Sequence, residues 1–194
     1  MKLTEIKDQW TNMTDSPLEK ESKGTYAGLR FTPESKEAVM HYLRQNNIPK
    51  PTDIDKLHVT LLYSRKHLSD YVPAGKLDTH HECHPAGFDV WKTKPPEGEN
   101  QTEGWNALVM KFNAPSVVAR HKELMAKHEA TYDFPDYKPH ITMSYNIGDM
   151  DHSALPPFTA PLHLNEEYDE ELDLDWAANK GTKRGHRKQQ VRDE

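Results

Sequence analysis

Two short stretches of the chain carry side chains that can do chemistry, and they share one pattern. The first places His58 and Thr60 in KLHVTLLYS, and the second places His140 and Thr142 in KPHITMSY. Because strand side chains alternate between two faces, each histidine must lie on the same face as its threonine. The opposite face is predicted to pack against the core, with Leu57, Val59, Leu61 and Tyr63 in the first copy and Ile141, Met143 and Tyr145 in the second.

Two histidines and two threonines match the needs of phosphodiester cleavage. This reaction needs a base for the attacking oxygen, an acid for the departing oxygen, and hydrogen bonds to the charged phosphoryl oxygens. Imidazoles with pKa values near ~6.5 can supply base and acid at neutral pH. Threonine hydroxyls can donate to the non-bridging oxygens. We therefore predict His58, Thr60, His140 and Thr142 as catalytic residues that need no metal ion or cofactor.

The alternative is that both histidines are ordinary strand residues, because roughly one His-x-Thr triplet is expected by chance in such a chain. The context argues against it. A strand at 25–31 precedes a helix that begins at Pro33, and a strand at 105–112 precedes a helix that begins at Pro115. A proline-containing connection then leads to a His-x-Thr strand in both cases. This internal repeat favours the catalytic interpretation.

The remaining histidines are weaker candidates for a catalytic or metal-binding role. Residues 67–103 contain many prolines and glycines, which predict several short pieces. Within them, 80–84 reads HHECH and resembles a metal cluster, but zinc ligands usually come from separated positions, so a polar loop is the preferred interpretation. His41, His121 and His128 fall on predicted helices and are expected at the surface or its boundary.

Aromatic and acidic residues are candidates for binding the substrate. Bases can stack on Tyr26, Trp91 or Trp176, although core packing is an equal alternative for each of them. The acidic run 166–171 is predicted to be mostly a solvated face. One glutamate from that run could accept hydrogen bonds from a base edge.

Composition limits the compartment and the partners. The net charge of −6 argues against a duplex nucleic-acid partner, since affinity for phosphate backbones comes from clustered lysine and arginine. No apolar run approaches the ~18 residues of a membrane span, and the start has no hydrophobic signal segment. Cys83 is the only cysteine, which excludes an internal disulfide. We therefore expect a cytoplasmic protein without a membrane partner.

Several sequence features together resemble the phage anti-CBASS nucleases of the two-histidine (2H) phosphoesterase superfamily. They are TYAGL at 25–29, NNIPKP at 46–51, KLHVTLLYSRK at 56–66 and YKPHIT at 137–142. The resemblance implies an α+β fold of two pseudo-symmetric lobes, with mostly antiparallel sheets, flanking helices and a central cleft. It also implies cleavage of the cyclic di- and trinucleotide signals of bacterial abortive infection, in the cytoplasm of the infected host.

The same resemblance assigns roles to individual residues. The catalytic pairs correspond to His58, Thr60, His140 and Thr142. The nucleotide-contacting residues correspond to Tyr26, Glu170 and Trp176, and Trp91 is a further candidate from the sequence itself. The match to Glu170 is loose, because Glu171 is adjacent.

The sequence is expected to divide into a polar leader (1–23), a bilobed catalytic domain (24–178) and a basic mixed-charge tail (179–194). The first functional hypothesis is a metal-independent phosphodiesterase that cuts 3′–5′ linkages of signals of the cyclic GMP-AMP type. One alternative is a general 2H enzyme acting on 2′,3′-cyclic phosphates or 2′–5′ linkages of RNA ends. Another is a sponge that binds cyclic nucleotides without cutting them. The base preference, the attacking oxygen, the assignment of base and acid, and the oligomeric state stay open.

Overall fold

The structure, a computed structural model, describes residues 23–95 and 104–172. These residues form an α+β fold, as predicted from the sequence. Trp176, nearly all of the leader and the basic tail lie outside the described residues. No helix in the described part is long and apolar enough to cross a membrane. In chain order the strands and helices are β1 Gly24–Phe31, α1 Pro33–Gln45, β2 His58–Ser64, β3 Gly75–Thr93, β4 Trp105–Asn113, α2 Pro115–His128, β5 His140–Ser144 and β6 Leu162–Leu172.

The predicted repeat is confirmed as β1-α1-β2 followed by β4-α2-β5. Thr32 caps α1, because its hydroxyl oxygen accepts a hydrogen bond from the backbone N–H of Ser35 at 3.3 Å. Pro33 and Pro115 occupy the first turns of their helices, where a missing N–H costs little. Each helix then leads through an irregular connection into a His-x-Thr strand.

One long strand, β3, joins the two halves of the fold. The strand order is β2-β1-β6-β3-β4-β5, and all pairs are antiparallel. The first part of β3 pairs with β6 and the second part pairs with β4, with a register shift between Pro85 and Phe88. Gly87 lies in this bend with φ of 100°, a conformation that favours glycine. The two expected sheets are therefore continuous through β3.

The length of β3 contradicts two predictions made for residues 67–103. The turn residues predicted several pieces and a polar loop at 80–84, but β3 accommodates Pro85 and Gly87 in an irregularity and continues. His81 Nδ1 lies 2.9 Å from the Ser116 hydroxyl, whereas Cys83 is fully buried. No group of three or more histidine, cysteine, aspartate or glutamate side chains that could hold a metal ion occurs within the part of the chain that is described.

The core lies between the sheet and the two helices. It includes Leu29 of β1, Leu61 of β2 and Leu164 of β6, all fully buried. His121 and His128 of α2 are also buried, each 6% exposed, so the expectation that they lie at the surface or its boundary is wrong. The apolar stripe of α2 packs on β2 and carries both imidazoles inward with it.

One residue of the acidic run 166–171 differs from the prediction of a mostly solvated face. Glu167 of β6 is 1% exposed and accepts hydrogen bonds from Arg120 of α2 and from the hydroxyl of Tyr71. Burial raises the pKa of the Glu167 carboxyl, but the hydrogen bonds from Arg120 and Tyr71 outweigh burial and hold that pKa below its usual value. This glutamate therefore ties α2 to the centre of the sheet.

Glu167→Gln should lower the free energy of unfolding by about 3 kcal/mol, because it leaves the mostly buried Arg120 without its main counter-ion. Arg120 keeps a contact with Glu123 at 3.1 Å, which holds the loss to the lower end of the range for buried pairs. Denaturant unfolding measures the effect. Glu37→Gln, which removes an exposed partner of Arg44, is the control and should change stability by less than about 0.5 kcal/mol. Equal losses of unfolding free energy in the two variants would contradict the conclusion that Glu167 ties α2 to the sheet.

Candidate functional site

The two His-x-Thr strands are the outer strands of the sheet order, and the sheet curves so that they approach each other. His58 and Thr60 of β2 and His140 and Thr142 of β5 line a single gap of about 20 Å³, together with Thr52, Lys56 and Tyr145. A gap of this size has room for about one water molecule. The structure thus brings together all four residues predicted to be catalytic.

Both imidazoles are held by the same hydrogen bond. His58 Nδ1 lies 2.7 Å from the backbone carbonyl oxygen of Lys56, and His140 Nδ1 lies 2.8 Å from that of Lys138. A carbonyl oxygen only accepts hydrogen bonds, so each Nδ1 must carry a hydrogen and donate it. In the neutral imidazole this leaves Nε2 with the free lone pair, which is the atom that can take or give a proton.

Each strand also contains a register irregularity directly after its threonine. Thr60 and Leu62 pair with successive residues of β1, so Leu61 is an extra residue in β2. Thr142 and Ser144 pair with successive residues of β4, so Met143 is an extra residue in β5. A bulged residue reverses the alternation of side chains beyond it. Two neighbouring side chains are consequently buried in each strand, Leu61 with Leu62 and Met143 with Ser144.

The two irregularities overturn the prediction that Tyr63 and Tyr145 face the core. Tyr63 is half-buried and lines the cleft beside His58, and Tyr145 is 45% exposed and borders both the gap and the cleft. Each tyrosine follows its histidine by five residues. Strict alternation assigns both tyrosines to the core face. Their identical spacing from the two histidines is the sequence feature that could have identified them as equivalent residues of the site.

His140 has the more enclosed environment of the two histidines. The indole ring of Trp91 lies against its imidazole, with ring centroids 4.4 Å apart and planes at 60°. Burial lowers the pKa of His140, and the charge of His58 lowers it further, against the opposing effect of the hydrogen bond to Lys138. These influences favour a neutral His140 at neutral pH.

Tyr26 lies beside the first pair. Its hydroxyl oxygen is 3.0 Å from Thr60 Oγ1, and the edge of its ring meets the His58 imidazole at a centroid distance of 6.0 Å. Burial raises the pKa of the Tyr26 phenol, so the hydroxyl keeps its proton at neutral pH. Glu170 of β6 is the cross-strand partner of Tyr26, and it is exposed at the wall of the cleft.

A cleft of about 770 Å³ adjoins the gap and includes His58, Thr60 and Tyr26 in its wall. This volume suits a ligand of nucleotide size. Phe134 is 62% exposed there, and Tyr168 forms part of the floor. Neither was identified from the sequence, because Phe134 comes from an irregular connection and Tyr168 from the acidic run.

The cations of this cleft are paired. Arg65 makes a bidentate contact with Asp133 at 2.8 to 3.1 Å. Arg30 lies over the ring of Tyr168 at 4.0 Å and contacts Glu166 at 3.4 Å. Charge at the wall is thus balanced by carboxylates, while the catalytic gap itself is lined by two imidazoles, by hydroxyl groups and by Lys56, which contacts Asp53 at 3.4 Å.

Comparison with known proteins places this geometry in a family. The family model described as "Anti-CBASS protein Acb1" matches residues 23–179. A protein of that name from Vibrio phage KVP40 is 38% identical over 160 residues, which cover 82% of this chain and 94% of the relative. The Enterobacteria phage T4 protein of the same name is 34% identical over 157 residues, which cover 80% and 93%. The crystal structure of E. coli LigT in apo form aligns with a TM-score of 0.47 and 16% identity, over 77% of this chain and 87% of LigT. The chain belongs to the anti-CBASS protein Acb1 family.

Proposed function

We propose that this protein is a metal-independent phosphodiesterase that cleaves 3′–5′ linkages of cyclic di- and trinucleotide signals, by which a phage evades CBASS defence. One observation carries the proposal. His58 and His140 line the same narrow gap, each with Nδ1 bound to a backbone carbonyl and Nε2 left for proton transfer. Membership of the Acb1 family supports the biological role.

In the proposed mechanism His140 is the base and His58 the acid. The enclosed setting of His140 and its lowered pKa favour the neutral form that can accept a proton from the attacking oxygen. Protonated His58 then gives a proton to the departing oxygen. The Thr60 and Thr142 hydroxyls donate hydrogen bonds to the non-bridging phosphoryl oxygens. Negative charge in the transition state is thereby stabilised by hydrogen bonds and one imidazolium, without a metal ion or cofactor.

The cleft supplies the contacts for the rest of the ligand. A cyclic dinucleotide has two bases and a second phosphate, which must be held while one linkage lies against the two catalytic pairs. Tyr26, Trp91 and the exposed Phe134 offer aromatic surfaces near or beside the catalytic pairs, and Glu170 can accept hydrogen bonds from a base edge. Trp176 is proposed as a further contact on the strength of the family resemblance.

A small cyclic ligand fits the charge distribution better than a long nucleic acid. Binding of a long strand requires several unpaired cations along a groove. Arg30, Lys56 and Arg65 in the cleft wall each contact a carboxylate instead. We propose a substrate of the cyclic GMP-AMP type, met in the cytoplasm of the infected cell.

His58→Ala and His140→Ala should each lower kcat for 3′,3′-cyclic GMP-AMP by ~10² to 10⁴-fold, the usual range for loss of a general acid or base. Chromatography with mass spectrometry would follow linear products in the presence of excess chelator. His41→Ala, an exposed histidine of α1, is the matched control and should retain the wild-type rate.

Three results would overturn the proposal. Tight binding of intact ligand without any product would identify a sponge. Cleavage restricted to 2′,3′-cyclic phosphates or 2′–5′ linkages would identify an RNA-end enzyme. Loss of wild-type activity in chelator, with rescue by a divalent metal ion, would show that the histidines do not act unaided.

The assignment of base and acid predicts a directional pH effect. Trp91→Ala exposes His140 and should raise its pKa towards the ordinary value. If His140 is the base, activity is lost when it becomes protonated, so the acidic limb of the kcat/KM profile should move to higher pH. Trp105→Ala is the control, because the Trp105 ring lies 4.5 Å from Lys50 Nζ and contacts no imidazole among the described residues. A shift of the alkaline limb instead would reverse the two roles.

A further inference from the structure

The catalytic strands β2 and β5 are terminal in the strand order, so within residues 23–95 and 104–172 each has one edge without a neighbouring strand. Backbone carbonyls on such an edge need other donors or water. In this protein the donors come from the connections that precede the catalytic strands, and they come from the opposite repeat in each case.

The connection from α1 to β2 holds β5. The Thr52 hydroxyl donates to the carbonyl oxygen of Thr142 at 2.8 Å, and the Thr52 backbone N–H donates to that of Met143 at 2.9 Å. Thr52 is 2% exposed. Four residues later, Lys56 supplies the carbonyl that accepts the hydrogen of His58 Nδ1. One short segment therefore contacts the backbone of one catalytic pair and orients the histidine of the other.

The connection from α2 to β5 makes the corresponding hydrogen bond to β2. The Tyr137 hydroxyl donates to the carbonyl oxygen of Thr60 at 2.7 Å, and the next residue, Lys138, supplies the carbonyl for His140 Nδ1. The ring of Tyr137 stacks on the buried imidazole of His121 at 3.9 Å. His121 Nδ1 in turn lies 2.8 Å from the carbonyl oxygen of Leu61, the bulged residue, and donates to it.

We propose that Thr52 and Tyr137 are positioning residues that set the separation of the two catalytic pairs. Each hydroxyl binds the backbone carbonyl of the catalytic threonine in the other repeat, and each belongs to a segment that also orients a catalytic histidine. The gap between the pairs is only about 20 Å³. Because a displacement of about 1 Å can cost ~10²-fold in rate, these two hydrogen bonds control turnover through the backbone positions of the catalytic threonines. This inference rests on the proposed phosphodiesterase function.

Tyr137→Phe and Thr52→Val test the proposal by removing one hydroxyl while nearly conserving volume. Each should lower kcat for 3′,3′-cyclic GMP-AMP by about five- to twentyfold with KM changed less than about twofold, because the ligand is still bound but the pairs are displaced. Thr52→Ser keeps the hydroxyl and should retain most of the rate.

Tyr42→Phe is the matched control. The Tyr42 hydroxyl also donates to a backbone carbonyl, that of Pro156 at 2.6 Å, but neither residue lines the gap or the cleft. It should lose stability comparably to Tyr137→Phe and keep its kcat. Equal kcat values for the two phenylalanine variants, or a rise in KM at constant kcat, would overturn the positioning role. A wild-type protein that cleaves no cyclic nucleotide would instead refute the proposed function itself.

Discussion

The hydrogen bond from each catalytic imidazole to the carbonyl two residues before it is the constraint on which the site depends. It fixes Nδ1 as a donor in both His58 and His140 and so reserves Nε2 for the reaction. The carbonyls of Lys56 and Lys138 can serve because each connection turns into its strand directly before the histidine. The two repeats therefore present chemically equivalent nitrogens to one gap, and their different surroundings separate the roles. Trp91 encloses His140, whereas Tyr26 meets His58 edge-on next to the open cleft.

The placement of the pairs on outer strands explains much of the remaining structure. An outer strand can approach its symmetric counterpart across a cleft, which a central strand cannot do. Backbone carbonyls on its free edge then need hydrogen-bond donors. Thr52 and Tyr137 donate to two of these carbonyls, each from the opposite repeat, and so link the two repeats. The irregularities at Leu61 and Met143 turn Tyr63 and Tyr145 towards the ligand side. Catalytic geometry and cleft surface thus follow from the same local backbone features.

Local patterns were sufficient to predict the repeat and the four catalytic candidates. Thr32 with Pro33 and the proline at 115 mark helix starts, and alternation around His58 and His140 gives the shared face of each pair. Features set by distant partners were not predictable in this way. Glu167 is buried because Arg120 and Tyr71 meet it from 47 and 96 residues away. Thr52 and Tyr137 act across 90 and 77 residues. The irregularities in β2, β3 and β5 interrupt the alternation of side chains, and the position of such an irregularity cannot be read from one sequence.

The tautomers of His58 and His140 test most directly whether Nε2 is the reacting nitrogen in both residues. Nitrogen-15 NMR of the histidine-labelled protein, at a pH where both imidazoles are neutral, reads which ring nitrogen carries the hydrogen. The spectra of His58→Ala and His140→Ala assign the two signals. The hydrogen bonds to Lys56 and Lys138 predict hydrogen on Nδ1 and a free lone pair on Nε2 in both residues. Hydrogen on Nε2 of neutral His140 would contradict this, because that nitrogen could not then take a proton from the attacking oxygen. Hydrogen on Nε2 of neutral His58 would contradict it too, because the imidazole left after Nε2 gives its proton carries hydrogen on Nδ1 alone.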